Sequence, residues 1–166
     1  MRPTRDEWAM EMARVTAKRS TCLRRAVGCV LLNYRGHVLA TGYNGVASGR
    51  PHCNEEAVIT TGDDEFDKHL RQKIMPLYPN ICIGAGSPSG TDLDACEAIH
   101  AEQNALLQCK DVYNIAACYC TTSPCVTCVK LLLNTSCVVI YFNEEYPQPH
   151  AREMWESAGR KWEVRP

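Results

Sequence analysis

Two short blocks of this chain hold the residues needed for a hydrolytic metal centre: His100-Ala101-Glu102 and, downstream, Pro124-Cys125-Val126-Thr127-Cys128. One imidazole and two thiols are zinc-type ligands, and the carboxylate of Glu102 is left over. A structural zinc site closes with four protein ligands, whereas a catalytic one keeps three and leaves the fourth position to water. Glu102 would then move that water's protons as general acid and base. The plainer alternative is a closed zinc knuckle, in which another cysteine completes the set and Glu102 only caps a helix.

The spacing dictates what must hold these groups. Residues three apart on a helix share a face, so Cys125 and Cys128 can reach one ion. His100 and Glu102 are two apart and serve one site only if it lies off a helix end, which predicts a helix starting near Ile99. Pro124 suits the first turn of a second helix, where its missing N–H costs nothing, with Cys125 and Cys128 in the turn that follows. Two helix N-termini then converge on the ligands, and their partial positive charge favours thiolates.

The flanking pattern supplies a scaffold. Trp8, Met12 and Val15 recur at helical spacing between about Thr4 and Lys18, which predicts an amphipathic first helix with those residues facing the core. Ala26–Asn33 and His37–Tyr43 read as strands joined by the short Tyr34-Arg35-Gly36 connection, hence as an antiparallel pair. Then follow a helix over Ala98–Cys109, a strand over Ala116–Thr122, a helix over Cys125–Asn134 and a strand over Ser136–Phe142. Pro149–Gly159 reads as a helix stopped by Gly159, and Lys161–Arg165 as a last short strand. This alternation predicts a three-layer α/β/α fold, with a mixed sheet of about five strands and helices on both faces.

A length of 166 residues suits one domain spanning 1–166. Its irregular part runs from about residue 48 to 96, where glycines and prolines break long elements, although Asp64–Met75 could form a helix. A formal net charge of −1 without a basic stripe argues against polynucleotide binding and suits a small anionic substrate. The apolar runs are far shorter than the ~18 residues of a membrane span. Eleven cysteines could suggest a secreted disulfide scaffold, but the chain is large for that class and starts MRPTRDEW without an apolar signal segment. A reducing cytoplasm is the expectation. Cys29, Cys82, Cys109, Cys118, Cys120 and Cys137 read as small buried residues.

The spacing H-x-E…P-C-x-x-C matches the signature of zinc-dependent nucleobase deaminases. Cys22-Leu23-Arg24-Arg25, Thr41-Gly42-Tyr43-Asn44-Gly45, Pro51-His52-Cys53 and His100-Ala101-Glu102-Gln103-Asn104-Ala105 stand in the order found in deoxycytidylate (dCMP) deaminases, which the chain resembles over nearly its whole length. Residues 54–95 are the least familiar part.

That resemblance implies hydrolytic deamination of dCMP to dUMP and ammonia within a cytidine deaminase-like fold. Zn2+ would be held by His100, Cys125 and Cys128, with Glu102 as the proton shuttle. It also implies a second, structural Zn2+ on Cys22, Cys53 and Cys96, with His52 as the candidate fourth ligand. Asn44 would contact the deoxyribose and Tyr146 would pack on the pyrimidine. The backbone N–H of Ala101 would meet the base carbonyl, and Arg24 and Arg25 are the nearest cations for the 5′-phosphate. Such enzymes are typically hexamers, activated by dCTP and inhibited by dTTP with Mg2+, and Gly42, Tyr43, Asn44 and Gly45 belong to the regulatory region. A turn asparagine, a surface arginine or a core tyrosine needs no such role. Two other functions fit the metal core: a deaminase acting on tRNA adenosine or a free base, and a zinc-stabilised binding module without chemistry.

Overall fold

At the centre of the computed structural model, which describes residues 1–22, 24–50, 52–53 and 96–165, lies a five-stranded sheet. Its strands are β1 (Gly28–Asn33), β2 (Val38–Tyr43), β5 (Ile115–Thr122), β6 (Val139–Glu144) and β7 (Lys161–Val164), in the order β2-β1-β5-β6-β7. β1 runs antiparallel to both β2 and β5, whereas β5, β6 and β7 are mutually parallel. A separate antiparallel pair joins β3 (Gly45–Val46) to β4 (Ala98–Ile99). The β1–β2 hairpin closes through Asn33, whose N–H donates to His37 C=O at 3.0 Å, with Gly36 at φ 81°. That left-handed conformation suits glycine.

The parallel strands need crossovers, and helices provide them. α3 (Val126–Leu133) connects β5 to β6, and α4 (Pro149–Ser157) connects β6 to β7; α1 (Arg5–Ala17) precedes the sheet and α2 (Ala101–Gln108) precedes β5. A 3₁₀ turn, Val112–Asn114, leads into β5. β1 is buried on both faces, so its residues sort by alternation. Cys29 and Leu31 join Cys118, Cys120, Ile140 and Phe142 beneath α2, α3 and α4. Val30 and Leu32 join Ala117, Tyr119 and Val139 beneath α1. Among the described residues, one helix therefore covers one face and three cover the other, which is the expected three-layer arrangement.

Several sequence expectations need correction. The first helix buries Ala9, Met10, Ala13 and Ala17, while Trp8 and Val15 are 39% and 60% exposed. Side-chain size did not choose the inner face; close approach did. A Cβ on Gly28 would lie 2.0 Å from the Ala13 carbonyl oxygen, so small residues set the helix against β1. The helix expected from Ala98 starts instead at Ala101, because Ala98 and Ile99 pair with Val46 and Gly45 as β4. The next helix starts at Val126, so Pro124 precedes it and Cys125 is its N-cap, not a residue of its second turn. The strand expected over Ser136–Phe142 is Val139–Glu144, carried further towards the cleft. The Asp64–Met75 helix, Cys82 and the other expectations for 54–95 lie outside the described residues.

Candidate active site

α2 and α3 both begin at one cleft, and the residues that open them are the expected ligands. His100 is the N-cap of α2, Cys125 is the N-cap of α3, and Cys128 falls in the first turn of α3. His100 Nδ1 lies 3.3 Å from Cys125 Sγ and 3.4 Å from Cys128 Sγ. The three ligand atoms lie within 4.8 Å of one another, close enough to share one ion. One nitrogen and two sulfurs suit zinc and leave one tetrahedral position for a non-protein ligand.

Local hydrogen bonds fix that convergence. Gln103 Oε1 accepts from His100 N–H at 2.8 Å, and Asn104 Nδ2 donates to the Tyr43 carbonyl at 2.8 Å, tying α2 to the end of β2. Gln148 Oε1 accepts from Val126 N–H at 3.1 Å. It thus satisfies a free donor in the first turn of α3 from across the chain. Neither α2 nor α3 could tilt without losing one of these.

Glu102 is 4% exposed and lines the cleft beside His100 and Cys125. Burial pushes its carboxyl up to about 7, against the pull of the His100 charge. Cys125 is brought down to about 4, chiefly by the S–H of Cys128, with His100 helping. Cys128 is pushed well up by that same contact and by burial. His100 is raised, first by its contact with Cys125.

The rest of the cleft gathers most of the residues singled out from the sequence. Asn44, Ala101, Tyr146, Arg24 and Arg25 all line it. Asn44 is 8% exposed, and its Oδ1 accepts from Ser20 Oγ at 2.7 Å and Val27 N–H at 2.8 Å. Its Nδ2 donates to the Arg25 carbonyl at 2.7 Å, which leaves one amide hydrogen. Arg25 reaches Thr122 Oγ1 and Glu144 Oε2, both at 3.4 Å, and its guanidinium carbon sits 5.9 Å from the centre of the Tyr146 ring.

Cys22 and Cys96 line the same cleft, Cys53 is buried and His52 half-buried. Among the described residues, however, these four do not gather three ligand atoms within 4.8 Å; the chain between Cys53 and Cys96 lies outside those residues. Gly42 and Gly45 approach their own chain. A Cβ on Gly42 would lie 2.1 Å from the Ala101 carbonyl oxygen, and one on Gly45 would lie 2.6 Å from Thr21 Oγ1. Tyr43 is half-buried.

Sequence reasoning missed Ser123. It is buried in the cleft wall, its N–H donates to the Glu144 carbonyl at 2.8 Å, and its Oγ accepts from Tyr146 N–H at 2.7 Å. It thereby ties the segment holding Tyr146 to the segment holding Cys125. Its place directly before Pro124-Cys125 was the only available signal. Gln148 carried none, because its partner lies 22 residues away.

Known proteins resemble this chain in sequence and in fold. The family model for the cytidine and deoxycytidylate deaminase zinc-binding region matches residues 3–144. The chain is 39% identical over 162 residues to a deoxycytidylate deaminase of Schizosaccharomyces pombe, covering 95% of this chain and 43% of that protein. It is 32% identical over 133 residues to a deoxycytidylate deaminase of a Mycobacterium phage, covering 79% of this chain and 88% of that one. The chain thus spans about two-fifths of the fission yeast relative. The crystal structure of a dCMP deaminase from cyanophage S-TIM5, in complex with dCMP and dUMP, has the same fold: its TM-score is 0.69 at 24% identity, over 99% of both chains. A match over this much of the chain, with a His–Cys–Cys cluster at its centre, makes the chain a member of the cytidine and deoxycytidylate deaminase family.

Proposed function

We propose that the chain is a zinc-dependent deaminase that hydrolyses dCMP to dUMP and ammonia, supplying dUMP for thymidylate synthesis. The carrying observation is that Glu102, buried and not a member of the ligand cluster, lines one cleft with His100 and Cys125, whose ligand atoms lie within 4.8 Å of that of Cys128. His100, Cys125 and Cys128 would hold zinc, whose chemistry when bound is to activate water as a nucleophile near neutral pH.

The chain's own residues then have distinct tasks. Glu102 accepts a proton from the attacking water and delivers it to N3 of the pyrimidine; it then takes the remaining hydroxyl proton from the C4 adduct and passes it to the departing amine as the C4 carbonyl forms. A low-dielectric setting that raises its pKa suits a group that must both take and return protons. Ala101, the first residue of α2, offers a backbone N–H without an intrahelical partner to the base carbonyl. Asn44 presents its remaining amide hydrogen to the deoxyribose, and Tyr146 packs on the ring. Arg24 and Arg25 supply positive charge for the 5′-phosphate, Arg25 beside the Tyr146 ring.

The same reading extends to assembly and regulation. Residues 1–166 act as one deaminase domain of a cytoplasmic homo-oligomer, a hexamer by resemblance. dCTP activates and dTTP inhibits with Mg2+, through the segment Gly42, Tyr43, Asn44 and Gly45. A second Zn2+ ties Cys22, Cys53 and Cys96, with His52, around the chain between Cys53 and Cys96. Among the described residues no helix is long and apolar enough to cross a membrane.

The test is ultraviolet-monitored deamination of dCMP and deoxycytidine by zinc-replete protein, with and without dCTP and Mg2+. Turnover of dCMP alone supports the phosphate requirement, and dCTP enhancement supports regulation. Folded, zinc-bound protein that turns over neither substrate would redirect the reading to another base or to a binding module. Zinc analysis giving two ions per chain supports the second site, and one ion removes it.

A further inference from the structure

Behind α2, on the inner face of the sheet, three cysteines converge that the proposed reaction does not use. Cys29 on β1 stands opposite Cys120 on β5, and Cys118 lies two residues before Cys120 on the same face. Cys118 Sγ is 3.6 Å from Cys29 Sγ and 3.4 Å from Cys120 Sγ, and the three sulfurs lie within 4.8 Å of one another. All three side chains are fully buried.

Cysteine is a good small core residue, which explains the burial. It does not explain the convergence. Cys137 and Cys109, elsewhere in the fold, direct their S–H at backbone carbonyls, of Val139 at 3.3 Å and of Asp111 at 3.4 Å. The thiols of Cys29, Cys118 and Cys120 instead face one another. Among the described residues only one other group of three ligand atoms is so close, and it is the His100, Cys125 and Cys128 cluster.

We propose that Cys29, Cys118 and Cys120 form a further, all-sulfur metal site that takes copper(I). The donor set selects the ion: sulfur alone, with no imidazole or carboxylate in the group, suits a soft cation. Zinc prefers four ligands, and no fourth among the described residues joins this group. An ion about 2.3 Å from each of three coplanar sulfurs needs them roughly 4 Å apart, taking the zinc–thiolate bond as a guide. The observed pairs at 3.4 and 3.6 Å are a few tenths short of that. Loading exchanges protons for the ion: copper enters as Cu(I), all three thiols release H⁺ to solvent as they become thiolate ligands, and no electron moves. Because the sulfurs have no solvent exposure, the ion enters when β1 and β5 open locally, so uptake is slow.

The test is a titration of the zinc-loaded protein with Cu(I), kept monovalent by ascorbate and buffered by a competing chelator, while zinc release is followed with an indicator. One Cu(I) should bind per chain with zinc retained, and X-ray absorption should give a sulfur-only shell. Cys118→Ala and Cys29→Val should each lose that equivalent, and Cys22→Ser should keep it. A shell containing nitrogen, copper uptake matched one for one by zinc release, or loss of the equivalent in Cys22→Ser overturns the proposal. The shell of the unmodified protein is decisive even if a core variant fails to fold.

Discussion

Ser20 holds Asn44 at both ends of the residue: its Oγ lies 2.7 Å from Asn44 Oδ1 and 3.0 Å from the Asn44 backbone carbonyl oxygen. Ser20 does not line the cleft, yet with the Val27 N–H and the Arg25 carbonyl it fixes which way the amide points. Ser20→Ala removes one of these ties and leaves the others. The lost bond is worth about 1 kcal/mol, or roughly a fivefold change. We expect KM for dCMP to rise by about that factor with kcat nearly unchanged, and Ser20→Thr to restore it. Steady-state kinetics on the three proteins decide; an equal fall in kcat would point to a disturbance reaching Glu102.

Glu102→Gln keeps the shape of the side chain and removes its ability to take a proton. Because Glu102 is not in the ligand cluster, zinc content should be unchanged while turnover falls by about 10² to 10⁴. Metal analysis and single-turnover deamination test the two halves separately. Activity close to that of the unmodified protein would assign the proton transfers to another group.

Removing the metal should cost stability as well as activity. Cys125 and Cys128 sit at the start of α3 and His100 at the start of α2, so an ion joins two helices that share few other contacts. Chelation should lower the melting temperature and abolish deamination, and added zinc should restore both. Cys128→Ala should melt near the chelated temperature and gain little from added zinc. Calorimetry with and without chelator provides the comparison.

The legible parts of this molecule are those whose reasons are local. His100, Glu102, Cys125 and Cys128 could be assigned to one site because helical geometry forces their spacing. The β1–β2 hairpin was visible because Tyr34-Arg35-Gly36 is too short for anything but a tight return. The inner face of α1 was not legible, since Trp8 and Val15 are the bulkier apolar residues beside Ala9 and Ala13. Only the missing Cβ of Gly28, across in β1, explains why alanine faces inward. Ser123 and Gln148 stayed hidden for a related reason. Each acts through a hydrogen bond to a residue more than 20 positions away, and no periodicity encodes such a bond. The start of α2 was misplaced because Ala98 and Ile99, which continue the apolar pattern of the helix, pair with Val46 and Gly45 instead.

Two glycines that both meet a helix at contact distance should separate stability from catalysis. A Cβ on Gly28 would lie 2.0 Å from the Ala13 carbonyl oxygen, and one on Gly42 would lie 2.1 Å from the Ala101 carbonyl oxygen and 2.4 Å from the Ala105 nitrogen. In each case the obstacle is helix backbone, so the helix must shift as a body, at a cost of about 1–3 kcal/mol. Gly28→Ala displaces α1, which carries no residue of the cleft. Gly42→Ala displaces α2, whose first turn carries Glu102 and whose N-cap is His100. We therefore expect similar falls in melting temperature for the two variants. Well below that temperature, Gly42→Ala should lose kcat by tenfold or more, whereas Gly28→Ala should stay within about twofold of the unmodified enzyme. Positioning errors of this size are costly where reacting groups must meet. Gly49→Ala is the control for backbone conformation alone: at φ 84° with nothing within 4 Å of the added methyl group, it should lower stability modestly and leave kcat intact. Equal kcat for the Gly28 and Gly42 variants would mean that α2 absorbs the shift without moving His100 and Glu102.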